Sequence, residues 1–363
     1  MSRIVLFLVI CICAVHLDAQ TVTYKSKRDS LITYRNTTDT NYIRKYPNRL
    51  ILTLYQSYRQ YDIRFTQNLL QDTLGLSAPR LIADANVVTG LTVDFDKISF
   101  SFGLKSTPPT DAQIAQKGKT TYRTFSLSLS AYRFRFEGAF RRYKGFYDLA
   151  PARFDTLNNK YYQRPDLDVM SFRFRTLYIF NKRKFSYNAA YFNTHRQIKS
   201  AGTWLAVGNF YNYKVASDSA IIPFNARPFY GNWNRMNQYG VIGISAGVGA
   251  SYTLVLFKRL YANFTLIGGP DFQHRTMVSE EDALTKKYWK TGYAGDTRIA
   301  LGLNSKNFFM SLTYRQEYNS YQLTNFRIEP RFISVDFNVG YRFPFKERRW
   351  VTKLKSNKWY QLL

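Results

Sequence analysis

The chain of 363 residues carries a formal net charge of +28, is 17% aromatic with 29 Tyr and 29 Phe, and has only two cysteines. No uninterrupted apolar run approaches the ~20 residues that a membrane-spanning helix needs, which excludes helical spanning. The charges stand singly between apolar residues rather than in blocks, so the basic balance points to the inside and rims of a barrel and not to nucleic acid.

At the N-terminus Arg3 precedes an apolar core from Ile4 to Val15, and Ala19 offers a small residue for cleavage, the pattern of a secretory signal peptide over residues 1–19. Cys11 and Cys13 both fall inside it, so the mature chain is expected to have neither disulfides nor thiolate metal sites. Residues 20–48 are polar and read as a periplasmic lead-in.

From 49 to 345 the governing signal is alternation with a period of 2, the mark of strands with two unlike faces. Leu50, Leu52, Leu54 and Tyr58 open the first strand, which Tyr61, Ile63 and Phe65 extend beyond the membrane. Val87 to Phe95 and Ile98 to Leu104 form a hairpin turned at Asp96 and Lys97. A second hairpin joins Phe125–Ala131 to Phe134–Phe140, with Arg133, Arg135, Glu137 and Arg141 on the opposite face. Residues 142–168 read as a loop. Phe172 to Phe180, with Arg173 and Arg175 opposite, turn at 181–184 into a strand over Phe185, Tyr187, Ala189 and Tyr191. Residues 195–238 are expected to be an outer loop or an inward-folded plug.

The strongest stretch runs from Tyr239 to Gly268. Ile242, Ile244, Ala246, Val248, Ala250, Tyr252, Leu254 and Leu256 alternate with small or polar residues, a strand on the order of 50 Å long that returns after Lys258 and Arg259. Strands at Ile299–Leu303, Phe308–Tyr314 and Ile333–Phe343 follow, and residues 346–363 form a basic tail. Pairing the tight turns on one side yields twelve strands; Ala201, Thr203, Leu205 and Val207 alternate weakly, and fourteen is the alternative if a second span hides between Ile221 and Met236. The fold class predicted is therefore all-β, a transmembrane antiparallel β-barrel with short periplasmic turns and long outer loops.

Three stretches, RRYKGFYD (Arg141 to Asp148), FSYNAAYFNTHRQIKSAG (Phe185 to Gly202) and VGYRFPF (Val339 to Phe345), resemble an uncharacterised family of bacterial outer-membrane β-barrel proteins, a domain of unknown function. The resemblance implies location and fold rather than an activity. It implies a cell outer-membrane protein that meets outer-membrane lipids, lipopolysaccharide and the barrel-assembly machinery.

Arg133, Arg135, Arg141, Arg173 and Arg175, with Glu137 among them, would give the lumen a positive field for small anionic solutes, or else a packing network with Glu137, Asp94 and Asp336. Tyr143, Lys144, Phe146 and Tyr147 could contact a sugar-like ligand by stacking, or anchor a loop. His195, near Asn193, Thr194 and Ser200, is the residue a lipid hydrolase would need at the outer rim. The acidic run Glu280 to Asp282 lacks the alternating spacing of a calcium loop, so no metal and no cofactor is expected. These features together predict a monomeric channel or binding protein for small anionic or sugar-like solutes. A structural component of a surface assembly and a lipid hydrolase are the alternatives.

Overall fold

The computed structural model describes residues 38–46, 49–67, 78–106, 108–280, 285–323, 326–345 and 355–356. The expected signal peptide, most of the lead-in, Glu281 and Asp282, and nearly all of the basic tail lie outside them. Among the described residues fifteen strands run in chain order: β1 (Ile43–Lys45), β2 (Arg49–Gln67), β3 (Arg80–Phe95), β4 (Ile98–Lys105), β5 (Thr121–Ser130), β6 (Phe134–Asp148), β7 (Tyr162–Ile179), β8 (His195–Gln197), β9 (Ala201–Ala216), β10 (Met236–Leu256), β11 (Leu260–Ser279), β12 (Thr285–Asn304), β13 (Phe308–Asn319), β14 (Tyr321–Gln322) and β15 (Phe326–Pro344). Two short helices, α1 (Asp111–Lys117) and α2 (Tyr187–Tyr191), stand between them.

Twelve of the strands close on themselves. Each pairs antiparallel with its successor among β2 to β7, β9 to β13 and β15, and β15 returns to β2 in a register from Phe326 opposite Gln67 to Pro344 opposite Arg49. Closure leaves no free edge, which is what a sheet needs to cross hydrocarbon. Outward positions carry Leu54, Leu91, Phe102, Ile244, Val248, Leu266, Leu301, Leu312 and Phe337, all exposed, and this apolar belt facing outward identifies a transmembrane barrel. The strands β10, β11 and β12 span 20 or 21 residues, about twice what a bilayer requires, so their far halves stand clear of it.

Two expectations need correcting, and they offset each other. Residues 185–191 do not form a strand: α2 occupies Tyr187–Tyr191. Phe185, Tyr187, Ala189 and Tyr191 alternate, but Tyr187, Ala190 and Tyr191 equally satisfy helical spacing, and a window this short cannot separate the two periods. The missing span is β9, inside the segment assigned to a loop or plug. Its inward face, Ala201, Thr203, Leu205 and Val207, alternates only weakly with an outward face that sets Trp204 among Gly202, Ala206 and Gly208, so the contrast between the faces is low. One strand lost and one gained keep the count at twelve. The fourteen-strand alternative fails because 3₁₀ turns at Phe224–Phe229 and Gly231–Trp233 fill the place of the extra span.

The connections then sort by end. At the turn end lie residues 96–97, 131–133, 257–259 and 305–307; at the loop end lie the longer segments, including 217–235. Residues 180–200 are the exception, a long insertion at the turn end. There β8 pairs with β1, Lys45 opposite His195.

Val248 faces outward near the middle of β10 and is 71% exposed. Val248→Arg is expected to cost about 2–4 kcal/mol on unfolding from lipid vesicles. Leu157→Arg, in an exposed loop, should change stability by less than about 0.5 kcal/mol. Equal costs would mean that Val248 does not meet lipid.

Candidate functional site

Three layers fill the lumen. Nearest the loop end is an aromatic layer: Tyr61 stacks on Tyr143 with ring centroids 5.0 Å apart, Tyr122 lies 4.6 Å from Tyr143, and Tyr213, Tyr239 and Tyr321 continue it. Ile221, Ile222, Ala226 and Tyr230 of the 217–235 connection press onto it, Tyr230 meeting Phe326 edge-on at 4.9 Å. Tyr143 and Phe146, expected to stack on a ligand, belong to this buried layer instead, each 1% exposed; Tyr147 is buried too, but against Tyr161 with Lys117 over its ring, and Lys144 is exposed. The cause is Gly145. Its φ of 87° opens a bulge in β6, and a Cβ there would lie 2.1 Å from the Lys119 carbonyl oxygen, so the strand continues inward-facing through its aromatics where a loop was expected.

The middle layer is ionic. Arg141 makes a two-pronged pair with Glu317 across the lumen at 2.8 and 3.0 Å, and Arg173 reaches the same carboxylate at 2.9 Å. Arg175 meets Asp296 at 3.0 Å; Arg298 bridges Asp296 at 2.8 Å and Glu137 at 3.1 Å. Arg315 also lies on Glu317, and Arg135 on Glu137 at 3.4 Å. Strands β6 and β7 are thus tied to β12 and β13 through six arginines and three carboxylates. The cavities along this layer, beside Arg175 and Asp296 and beside Arg141 and Glu317, measure about 20 Å³ each, room for single waters.

The expected arginines are therefore brought together, with partners that sequence reasoning did not name. Asp296, Arg298, Arg315 and Glu317 were missed because the expected strands there began or ended short of them. The signal was present: Asp296 and Arg298, like Arg315 and Glu317, are charged pairs two apart, the spacing of Arg135 and Glu137. Arg133 stands apart, at the turn, donating to the Tyr178 hydroxyl at 3.1 Å. Of the other carboxylates expected in the network, Asp336 lies 3.7 Å from Arg59 and Asp94 is buried at the turn end.

The third layer is the 180–200 insertion, which enters the lumen from the turn end. Tyr261 donates to the Ala190 carbonyl at 3.0 Å, and the Tyr191 hydroxyl lies 2.9 Å from Thr265 Oγ1. Ser251, Thr253, Asn263 and Thr265 form the small polar face against which α2 lies. Asn193, at φ 53°, turns its carbonyl onto Arg342, which also donates to the Asn304 side chain at 2.7 Å. Arg135 anchors the other side, donating to Asn188 at 2.8 Å and lying 3.2 Å over the Phe192 ring.

His195 sits in this insertion, at the turn end and not at the outer rim. Its Nδ1 is 2.8 Å from Ser186 Oγ rather than beside Asn193, Thr194 or Ser200. Burial first, then Lys45 and Lys182, push the imidazole down to about 3 from its ordinary 6.5. A ring this weakly basic is a poor general base for a serine nucleophile. Among the described residues no group of three His, Cys, Asp or Glu is placed to hold a metal.

Glu317 accepts from three arginines while 3% exposed. Glu317→Gln keeps its shape and removes its charge, and it is expected to destabilise the folded barrel by about 3–5 kcal/mol in chemical unfolding. A loss below about 1 kcal/mol would mean the arginines are satisfied without it.

Among solved structures the chain is similar to the outer membrane protease OmpT of Escherichia coli, at 7% identity and TM-score 0.39 over 82% of this chain and 98% of that one. It is also similar to Ail, the attachment invasion locus protein of Yersinia pestis, at 10% identity and TM-score 0.26 over 82% and 100%. Values this low leave the barrel resting on its own closed strand order. No curated protein matches the sequence significantly. Residues 37–343, most of the protein, match the model of a family described as a domain of unknown function, DUF4421, and the chain belongs to that family.

Proposed function

We propose that the protein is an outer-membrane β-barrel that is closed to diffusion and works by binding small anionic solutes at its ends. The observation that carries this is the ionic layer: it ties opposite walls across the lumen, the two cavities beside Arg175 and Arg141 hold about 20 Å³ each, and it still has more arginines than carboxylates. A filled lumen weighs against the open passage that the alternating arginines first suggest. The excess positive charge favours the binding half of the same expectation, because a cationic recess bounded by low-dielectric walls concentrates anions. The sugar-like half loses its support with Tyr143 and Phe146 packed into the loop-end layer and Tyr147 buried against Tyr161.

Outer-membrane placement is supported by the signal-peptide pattern, the even strand count and the short turns at one end. A second reading, a component of a surface assembly, draws on Trp289 and Tyr293, which stand 75% and 74% exposed on the outward face of β12 where it leaves the membrane.

Purified protein in planar bilayers is expected to show no steady current at 0.1 M salt; a reproducible wild-type pore current would overturn the closed-barrel reading. For orientation, Leu157→Cys at the loop end should react with a membrane-impermeant maleimide on intact cells and Phe257→Cys at the turn end should not. The reverse pattern would invert the barrel in the membrane.

A further inference from the structure

The turn end contains a chamber that lies outside the ionic layer. It is bounded by β1, the turn at Asp96 and Lys97, the turn at Ala131 and Tyr132, and residues 179–188 with His195, and its volume is about 330 Å³. That is more than ten times the cavities of the middle layer and at the lower end of the ~300–1,000 Å³ common for small-molecule sites. Its charged lining is one-sided: Lys45, Lys97, Lys182 and Arg135 against Asp96. Lys45 and Lys182 make no ion pair with any carboxylate among the described residues; Lys182 instead lies 3.6 Å over the Tyr132 ring. Ser130, Ser186 and Asn188 add neutral hydrogen-bonding groups to the wall.

Such a lining is costly when empty. Burial, followed by Lys45, Arg133 and Lys97, pulls the Lys182 ammonium down to about 7, and burial likewise lowers Lys45 and Lys97, with only Asp96 acting to raise them. Three lysines held together in a half-buried recess are stabilised by a bound anion. The size of the chamber exceeds that of a bare oxyanion.

We propose that this chamber is a binding site for a small phosphate monoester, with Lys45, Lys97 and Lys182 holding the phosphoryl group and Ser186 and Asn188 contacting the remainder. The inference rests on the anion-binding half of the proposed function and names its site and ligand class; its failure would leave the closed lumen, which conductance tests, untouched. The same headgroup chemistry could be offered by a soluble ester or by a lipid, and the test separates them.

Full-length protein in zwitterionic detergent is titrated calorimetrically with glycerol 3-phosphate and, separately, with dihexanoyl phosphatidic acid below its micelle concentration. Binding of the first identifies a soluble solute; binding of the second alone identifies a lipid headgroup. The groups facing Lys182 or lining the chamber with it are Lys45, Asp96, Lys97, Tyr132, Arg133, Arg135, Tyr187 and His195, of which His195 is neutral throughout the range tested. Free Lys182 is largely uncharged above pH 7 and the bound anion restores its proton, so affinity should tighten by up to about tenfold per unit as pH falls from 9 to 7. Proton uptake at pH 8 should be visible as a dependence on buffer ionisation heat. Lys45→Ala with Lys182→Ala should weaken binding at least about tenfold. Lys182→Arg should keep binding and lose the pH dependence, which separates a charge requirement from a folding defect. No binding in either arm, or affinity in the double variant within twofold of wild type, would overturn the proposal.

Discussion

The interior of this barrel is governed by the cost of burying charge. A closed ring of twelve strands has an inside as well as an outside, and the inside holds arginines that cannot reach bulk water. Each must find a carboxylate or a carbonyl, because an uncompensated buried guanidinium costs several kcal/mol. Glu317 and Asp296 meet that demand from across the lumen, so the pairs do more than neutralise: they join β6 and β7 to β12 and β13 through the middle of the barrel. Once that link exists the lumen is a protein core. The tyrosine layer above it and the insertion below it are the two ways the same core is finished at its ends, one by aromatic packing and one by a folded-in connection.

The three stretches that carried the family resemblance turn out to be the points at which this filling is locked. RRYKGFYD places Arg141 on Glu317 and sends Tyr143 and Phe146 into the tyrosine layer through the Gly145 bulge. FSYNAAYFNTHRQIKSAG is the insertion itself. VGYRFPF supplies Arg342, which holds the insertion by the Asn193 carbonyl. They are sites of structural closure, and the small polar inner face of the β10 and β11 hairpin is the surface shaped to receive α2.

Much of the barrel was legible in the sequence because lipid on one side and packed polar groups on the other impose a strict period of 2. The Tyr239 to Gly268 hairpin could hardly be read otherwise. What failed did so where that contrast fades: β9 sets a lone Trp204 among glycine and alanine on its outward face, and residues 185–191 alternate by coincidence over a stretch that is helical from Tyr187. The site was half legible. Arg135, Glu137, Arg141, Arg173 and Arg175 lie where their strand phase places them, but the phase of one strand says nothing about which strand faces it across a lumen. Glu317 and Asp296 become their partners only through closure, a non-local fact. The turn-end chamber was illegible for the same reason, since Lys45 comes from β1 and Lys97 and Lys182 from two separate connections.

The account stands most directly on the coupling between opposite walls. A double-mutant cycle of Arg141→Met and Glu317→Gln, measured by unfolding from lipid vesicles, is expected to give an interaction energy of about 1–3 kcal/mol, since the residues share a buried two-pronged pair. Additive effects, within about 0.5 kcal/mol, would contradict a lumen held shut by ionic ties across its width.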